Sequence, residues 1–138
     1  MEGNTNITLT AERQNLKRFI HFITDFARKG GLDDQRIWEL ELVADEIFTN
    51  IIKYAYPQQK GHIEVNCRLN KNRILLEIYD HGIPFNPLSY PNPEIVPDIR
   101  KIRTDGYGIF LVRRLMDHIV YRRVGSRNCL VLEKNVGT

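Results

Sequence analysis

The chain has 138 residues, of which 42% are hydrophobic and 27% charged, a balance that builds one soluble domain with a sizeable core. Its purely apolar runs are only a few residues long, which excludes a membrane-spanning helix, and the opening Met1-Glu2-Gly3-Asn4-Thr5-Asn6 lacks the basic start and apolar stretch of a secretory signal. The net charge of +3 permits an acidic partner without demanding one, and Cys67 and Cys129 fit no metal spacing or disulfide framework, so they read as buried thiols of a reducing, cytoplasmic compartment.

Ile7-Thr8-Leu9 alternates and predicts a short edge strand. Thr10 is then expected to cap a helix, with Glu12 in its first turn. Leu16, Phe19, Ile20, Ile23 and Phe26 recur at helical spacing until Gly30-Gly31 ends the run. Asp33 or Asp34 caps a second helix that runs to about Ala55 and stops before Pro57. Ile63, Val65, Cys67 and Leu69 alternate with polar residues, the pattern of a half-buried antiparallel strand. Asn70-Lys71-Asn72 makes a turn into a strand from Arg73 to Asp80. Residues 84–105 hold all but one of the six prolines and read as a long loop, the kind that serves a function when it occurs in a compact domain. A third helix is expected from about Gly106 to His118, and Ile119–Val124 with Cys129–Lys134 close the chain as a hairpin around Gly125-Ser126. Segregated helices and antiparallel strands predict an α+β, two-layer sandwich with helices on one face of the sheet.

Three stretches carry chemistry. On the second helix, Glu46 and Asn50 are four apart and share one side at the border of the apolar stripe. There a carboxylate can take a proton from a hydroxyl and an amide oxygen can complete a Mg²⁺ shell, although Glu39, Glu41, Asp45 and Lys53 also suit a plain solvated face. On the following strand, Asp80 shares a face with Ile74, Leu76 and Ile78. An inward carboxylate needs donors, such as an exocyclic amine with Gly82 letting a flat ring approach; equally, Asp80 can start an Asx turn that Gly82 serves. Gly106-Tyr107-Gly108 opens the third helix, where bare amides and the helix dipole suit a polyphosphate, or where the glycines simply ease entry to a helix. Arg100, Lys101 and Arg103 stand just before it.

The order of Val43-Ala44-Asp45-Glu46-Ile47-Phe48-Thr49-Asn50, Asp80-His81-Gly82-Ile83-Pro84-Phe85 and Gly106-Tyr107-Gly108-Ile109-Phe110-Leu111-Val112 resembles the N, G1 and G2 boxes of the Bergerat-fold, histidine-kinase-like ATPase superfamily. Within it, the chain is most similar to the small anti-sigma factor serine/threonine kinases, over about Ile7 to Lys134. The resemblance implies a single ATP-binding domain over residues 1–138 and a kinase that phosphorylates a STAS-type anti-sigma antagonist and, as a homodimer, sequesters a sigma factor. It implies Glu46 as general base and Asn50 as the Mg²⁺ ligand. It implies ATP contacts from Asn50, Lys53, Asp80, Gly82, Pro84, Arg103, Thr104, Gly106, Tyr107, Gly108 and Ile109, with the stretch 86–105 as the ATP lid. Pro84 stands where many members of the superfamily have a second glycine, the lid is rich in proline rather than glycine, and the hairpin around Asn128 and Cys129 lacks the threonine often found near the phosphate end.

A second reading is an ATP-binding switch that holds partners without phosphoryl transfer. A detached histidine-kinase catalytic domain is disfavoured, since nothing around His21 resembles a phosphoacceptor motif. Direct nucleic-acid binding through Arg113, Arg114, Arg122, Arg123 and Arg127 lacks a motif, and aromatic interleaving is thin. No membrane partner is expected.

Overall fold

Residues alternating between two environments build the sheet. In the strands β2 (His62–Asn70), β3 (Arg73–Asp80) and β5 (Arg127–Asn135), buried side chains recur at every second position, with Cys129 buried in addition on β5. The computed structural model describes residues 3–58, 60–89 and 105–136. With β1 (Gly3–Thr10) and β4 (His118–Val124), these strands form a five-stranded sheet in the order β1-β2-β3-β5-β4, each neighbouring pair antiparallel. The register aligns the inward residues into rows across the sheet. Val65 lies opposite Ile78 and Ile78 opposite Leu130; Cys67 lies opposite Leu76 and Leu76 opposite Leu132. A one-residue slip would turn every one of these apolar side chains to the other face, so burial itself specifies the register.

The helices α1 (Leu16–Lys29), α2 (Asp34–Asn50) and α3 (Asp105–Leu115) complete an α+β architecture. Phe19, Ile23 and Ala27 from α1 and Leu40, Ile47 and Phe48 from α2 share one core with the inward strand residues, and the Phe19 and Phe48 rings stack with centroids 4.6 Å apart. Asp33 caps α2: its Oδ1 accepts a hydrogen bond from the Arg36 amide at 2.9 Å. The helix does not end cleanly at Asn50 but widens into a π-helical turn over Ile51–Ala55, a distortion that recurs at functional sites.

Three local expectations fail. Thr10 caps no helix. It is the last residue of β1, paired with His62, and the Ala11 amide bonds the Gly61 carbonyl, so the chain stays tied to the sheet past Thr10. The helix begins only after a 3-10 turn at Arg13–Asn15, and Thr10 Oγ1 instead accepts from Asn15 Nδ2 at 2.7 Å. The third helix stops at Leu115, because the Asp117 amide is drawn to the Glu133 carbonyl and His118 already pairs in β4. Glu39 is not merely a solvated residue. Its Oε1 accepts from the buried Lys134 Nζ at 2.9 Å, and that bond holds the Glu39 carboxyl below its ordinary range. Lys134 also donates to the Leu115 carbonyl, tying β5, the first half of α2 and the last turn of α3 at one point. Both cysteines are unpaired thiols and buried; burial pushes Cys67 up to about 12.

Candidate functional site

The site is assembled along α2 and its π turn. Asn50 is 1% exposed, so its amide must be bonded internally or cost free energy. Its Nδ2 donates to Glu46 Oε2 at 2.7 Å, a bond that the four-residue spacing on one helix allows. This donation leaves Asn50 Oδ1 as the atom able to serve a cation. The Glu46 carboxylate lies against the first turns of α3: a Cβ built on Gly108 would fall 2.0 Å from Glu46 Oε1. A side chain at 108 would therefore displace the Glu46 carboxylate, the flexible end of its side chain, rather than α2 backbone. The start of α3 also presents backbone amides and the positive end of the helix dipole to an anion.

At the far end of the π turn, the Ala55 carbonyl accepts from the Ile83 amide at 2.9 Å. A Cβ on Gly82 would sit 2.3 Å from that same carbonyl oxygen. The glycine of the Asp80-x-Gly82 segment is therefore used first by the protein itself, to seat the strand end on the helix end. Tyr56 braces the same corner, donating to the His62 carbonyl at 2.8 Å and accepting from the His81 amide at 2.7 Å.

Asp80 closes β3 on the inward face, opposite Ile63 on one side and Asn128 on the other, and is 3% exposed. The two sequence readings of this residue hold together. It points inward, and it makes the turn, with Oδ1 accepting from the Gly82 amide at 2.9 Å. Oδ1 also accepts from Asn128 Nδ2 at 2.8 Å. Burial pushes the Asp80 carboxyl above its ordinary value, opposed by these two hydrogen bonds and by the Arg123 charge. Its chemistry suits recognition of an N–H donor on a flat ring, because a desolvated carboxylate is stabilised by each donor it gains.

Asn128 is a member of this site that motif reading overlooks. Its Nδ2 also donates to the Ile83 carbonyl at 2.8 Å, while its Oδ1 accepts from the Phe85 amide at 3.3 Å, from Arg123 Nη1 at 3.2 Å and from the Tyr121 hydroxyl. Arg123 Nη1 reaches the Gly82 carbonyl too, at 2.9 Å. The segment 82–85 after Asp80 is thus pinned by two side chains of the closing hairpin. The one sequence signal was alternation: 128 falls in step with Leu130 and Leu132, which are buried inward.

Other expected residues divide. Gly106, Tyr107, Gly108 and Ile109 lie in the opening turns of α3. Pro84 is exposed within the pinned segment, and Lys53 is exposed on the π turn with Nζ 5.6 Å from the Tyr54 ring centroid. Arg103 and Thr104, with the rest of residues 90–104 of the expected lid, lie outside the described residues. At the start of the expected lid, Asn86 Oδ1 accepts from the Leu88 amide at 2.9 Å, and Arg113 of α3 donates to the Leu88 carbonyl. Among the described residues, no three His, Cys, Asp or Glu side chains converge as a metal cage. No described helix is long and apolar enough to cross a membrane.

Comparison with known proteins agrees with this geometry. Residues 9–134 match the model of the histidine kinase-like ATPase domain. The serine/threonine-protein kinase BtrW of Bordetella bronchiseptica is 29% identical over 94 residues, covering 67% of this chain and 66% of the relative. The serine-protein kinase RsbW of Listeria innocua is 27% identical over 103 residues, covering 70% and 65%, and RsbW of Bacillus cereus is 29% identical over 97 residues, covering 67% and 61%. The chain thus spans a little under two thirds of the length of these relatives. A buried acid ending β3, a Glu–Asn pair on α2 and glycines opening α3, within a match that leaves out only the chain's two ends, place this chain in the histidine kinase-like ATPase domain family.

Proposed function

We propose that this domain binds Mg-ATP and transfers its γ-phosphate to a serine or threonine hydroxyl on a STAS-type anti-sigma antagonist, and that as a homodimer it holds a sigma factor. The observation that carries the reading is one continuous line of contacts. It runs from Gly108 to the Glu46 carboxylate, from Glu46 to Asn50 at 2.7 Å, along the π turn to Ala55, and from Ala55 through Gly82 to Asp80. The line is flanked by a buried acid at one end and a helix start at the other, which suit the two ends an adenine nucleotide presents.

In this reading Asp80 accepts the exocyclic amine of the base. The amides at Gly106 and Gly108 would hold the phosphates, and Asn50 Oδ1 would help hold magnesium, a hard cation suited to an amide oxygen. The ion would neutralise phosphate charge during transfer. Glu46 accepts the proton of the attacking hydroxyl; its bond to Asn50 orients the carboxylate for that task. The family match and the kinase names of the relatives support nucleotide binding and transfer. A purified STAS-domain protein incubated with labelled ATP and this chain gains a phosphoserine or phosphothreonine. Nucleotide binding with no labelled product from a panel of such proteins favours the switch reading instead, and no calorimetric binding of Mg-ATP ends both.

A further inference from the structure

The inward face of β5 carries one residue out of keeping with its neighbours. Asn128 is 3% exposed and falls in step with Leu130 and Leu132. An apolar side chain would fill that place without the cost of desolvating an amide, so what distinguishes Asn128 is its bonds.

Those bonds leave nothing over. The two hydrogens of Nδ2 go to Asp80 Oδ1 and to the Ile83 carbonyl, each at 2.8 Å. Oδ1 accepts from the Phe85 amide, from Arg123 Nη1 and from the Tyr121 hydroxyl. Turning the amide over would set its oxygen against two acceptors and its nitrogen against the Phe85 and Arg123 donors, so five partners fix its orientation. With both ends used, Asn128 has no group to offer a ligand.

The effect falls on Asp80. Its Oδ1 takes two donors, the Gly82 amide at 2.9 Å and Asn128 Nδ2, and because these come from separate segments they fix the plane of the carboxylate. Among the described residues no hydrogen bond reaches Oδ2. One oxygen is spent on the protein and the other is held ready.

We infer that Asn128 is a positioning residue for base selection: it aims Asp80 Oδ2 at the amine of the bound base and does not touch the nucleotide itself. This role rests on the proposed reading of Asp80 as acceptor of the exocyclic amine, and adds that discrimination between bases depends on a residue 48 positions away in the chain. A base with a carbonyl in place of the amine sets acceptor against acceptor. A fixed oxygen penalises that base more than one free to turn aside.

The test compares, by calorimetry on the whole chain, the affinities for Mg-ATP and for Mg-inosine triphosphate, whose base carries an oxygen in place of the amine. The parent prefers ATP. Asn128→Ala reduces that preference by about tenfold or more, chiefly by weakening ATP, since the carboxylate loses one of the two donors that aim it. Loss of folded protein alone would lower both affinities together and leave their ratio unchanged. Asn128→Asp keeps the shape and makes the donation depend on a proton. A protonated acid at 128 donates to Asp80 as the amide does, whereas two carboxylates at that spacing repel. The preference of Asn128→Asp for ATP, taken relative to the parent at the same pH, therefore stays near the parent's in acid and falls as pH rises. Arg123 and Tyr121 on β4, His81 beside Asp80 and Tyr56 on the π turn are the charged and titratable groups that face this pair. Parent and variant share them, so the comparison isolates the acid at 128. A parent that binds neither nucleotide ends the nucleotide reading and this inference with it. A parent that binds both equally overturns the inference and leaves nucleotide binding standing. So does an Asn128→Ala that keeps the full preference, or an Asn128→Asp whose preference parallels the parent's at every pH.

Discussion

The two glycine-lined ends of the site are built differently. At Gly82 the atom that a side chain would strike is backbone, the Ala55 carbonyl oxygen, and the surrounding segment is fastened by Asp80, Asn128 and Arg123. At Gly108 the atom is the end of a side chain, the Glu46 carboxylate. Backbone clamped between a strand end and a helix end has nowhere to go; a carboxylate on three rotatable bonds does. The end around Asp80 is therefore a preformed socket. The end around Glu46 and Asn50 can rearrange when phosphate and cation arrive, which is where the proposed proton transfer takes place.

This contrast can be broken most directly at Glu46. Glu46→Gln is expected to lower phosphoryl transfer by roughly 10²–10⁴-fold while leaving the thermal midpoint and nucleotide affinity near those of the parent. A large loss of stability instead would make Glu46 a structural strut of α3. The next largest effect is expected at the rigid end. Gly82→Ala forces the Ala55 carbonyl aside and should cost about 3 kcal/mol in denaturant unfolding. Gly108→Ala sharpens the comparison, because the same added methyl should leave stability unchanged or slightly raised, a helical alanine being favoured over glycine by about 1 kcal/mol. It should nevertheless reduce transfer by on the order of 10²-fold through displacement of the Glu46 carboxylate. Equal stability losses from the two alanines would erase the distinction.

The smallest effect concerns charge at the rigid end. Burial raises the Asp80 carboxyl above its ordinary 3.8, so the folded state prefers the protonated acid more than the unfolded state does. That preference makes stability fall as pH rises from the ordinary value through the raised one, with the cost complete above it. Asp80→Asn removes the titration. Its stability relative to the parent should increase across that acid window and then level off, while Mg-ATP affinity is lost at every pH. Parallel pH curves for the two proteins would show that Asp80 carries no desolvation cost.

Local pattern alone told much of this. Alternation located β2, β3 and the closing hairpin, and the apolar stripe with Asp33 located α2, because burial of one face imposes a period of two or 3.6 on any sequence that must cover a core. The four-residue spacing of Glu46 and Asn50 is enough to put them on one side of a helix, and the alternation of Ile74, Leu76 and Ile78 puts Asp80 on their face. What pattern cannot convey is which atoms from distant segments meet. Asn128 reaches Asp80 across the β3–β5 pairing, 48 residues away in the chain. Gly82 is required by a carbonyl in the π turn, and Gly108 faces a carboxylate on another helix. Thr10 kept to the sheet because pairing with His62 outweighed a weak local preference for a cap. Periodicity is a property of a segment and its two environments, so it is written in the chain; strand register and helix approach arise only when segments compete for the same partners, so they belong to the folded molecule.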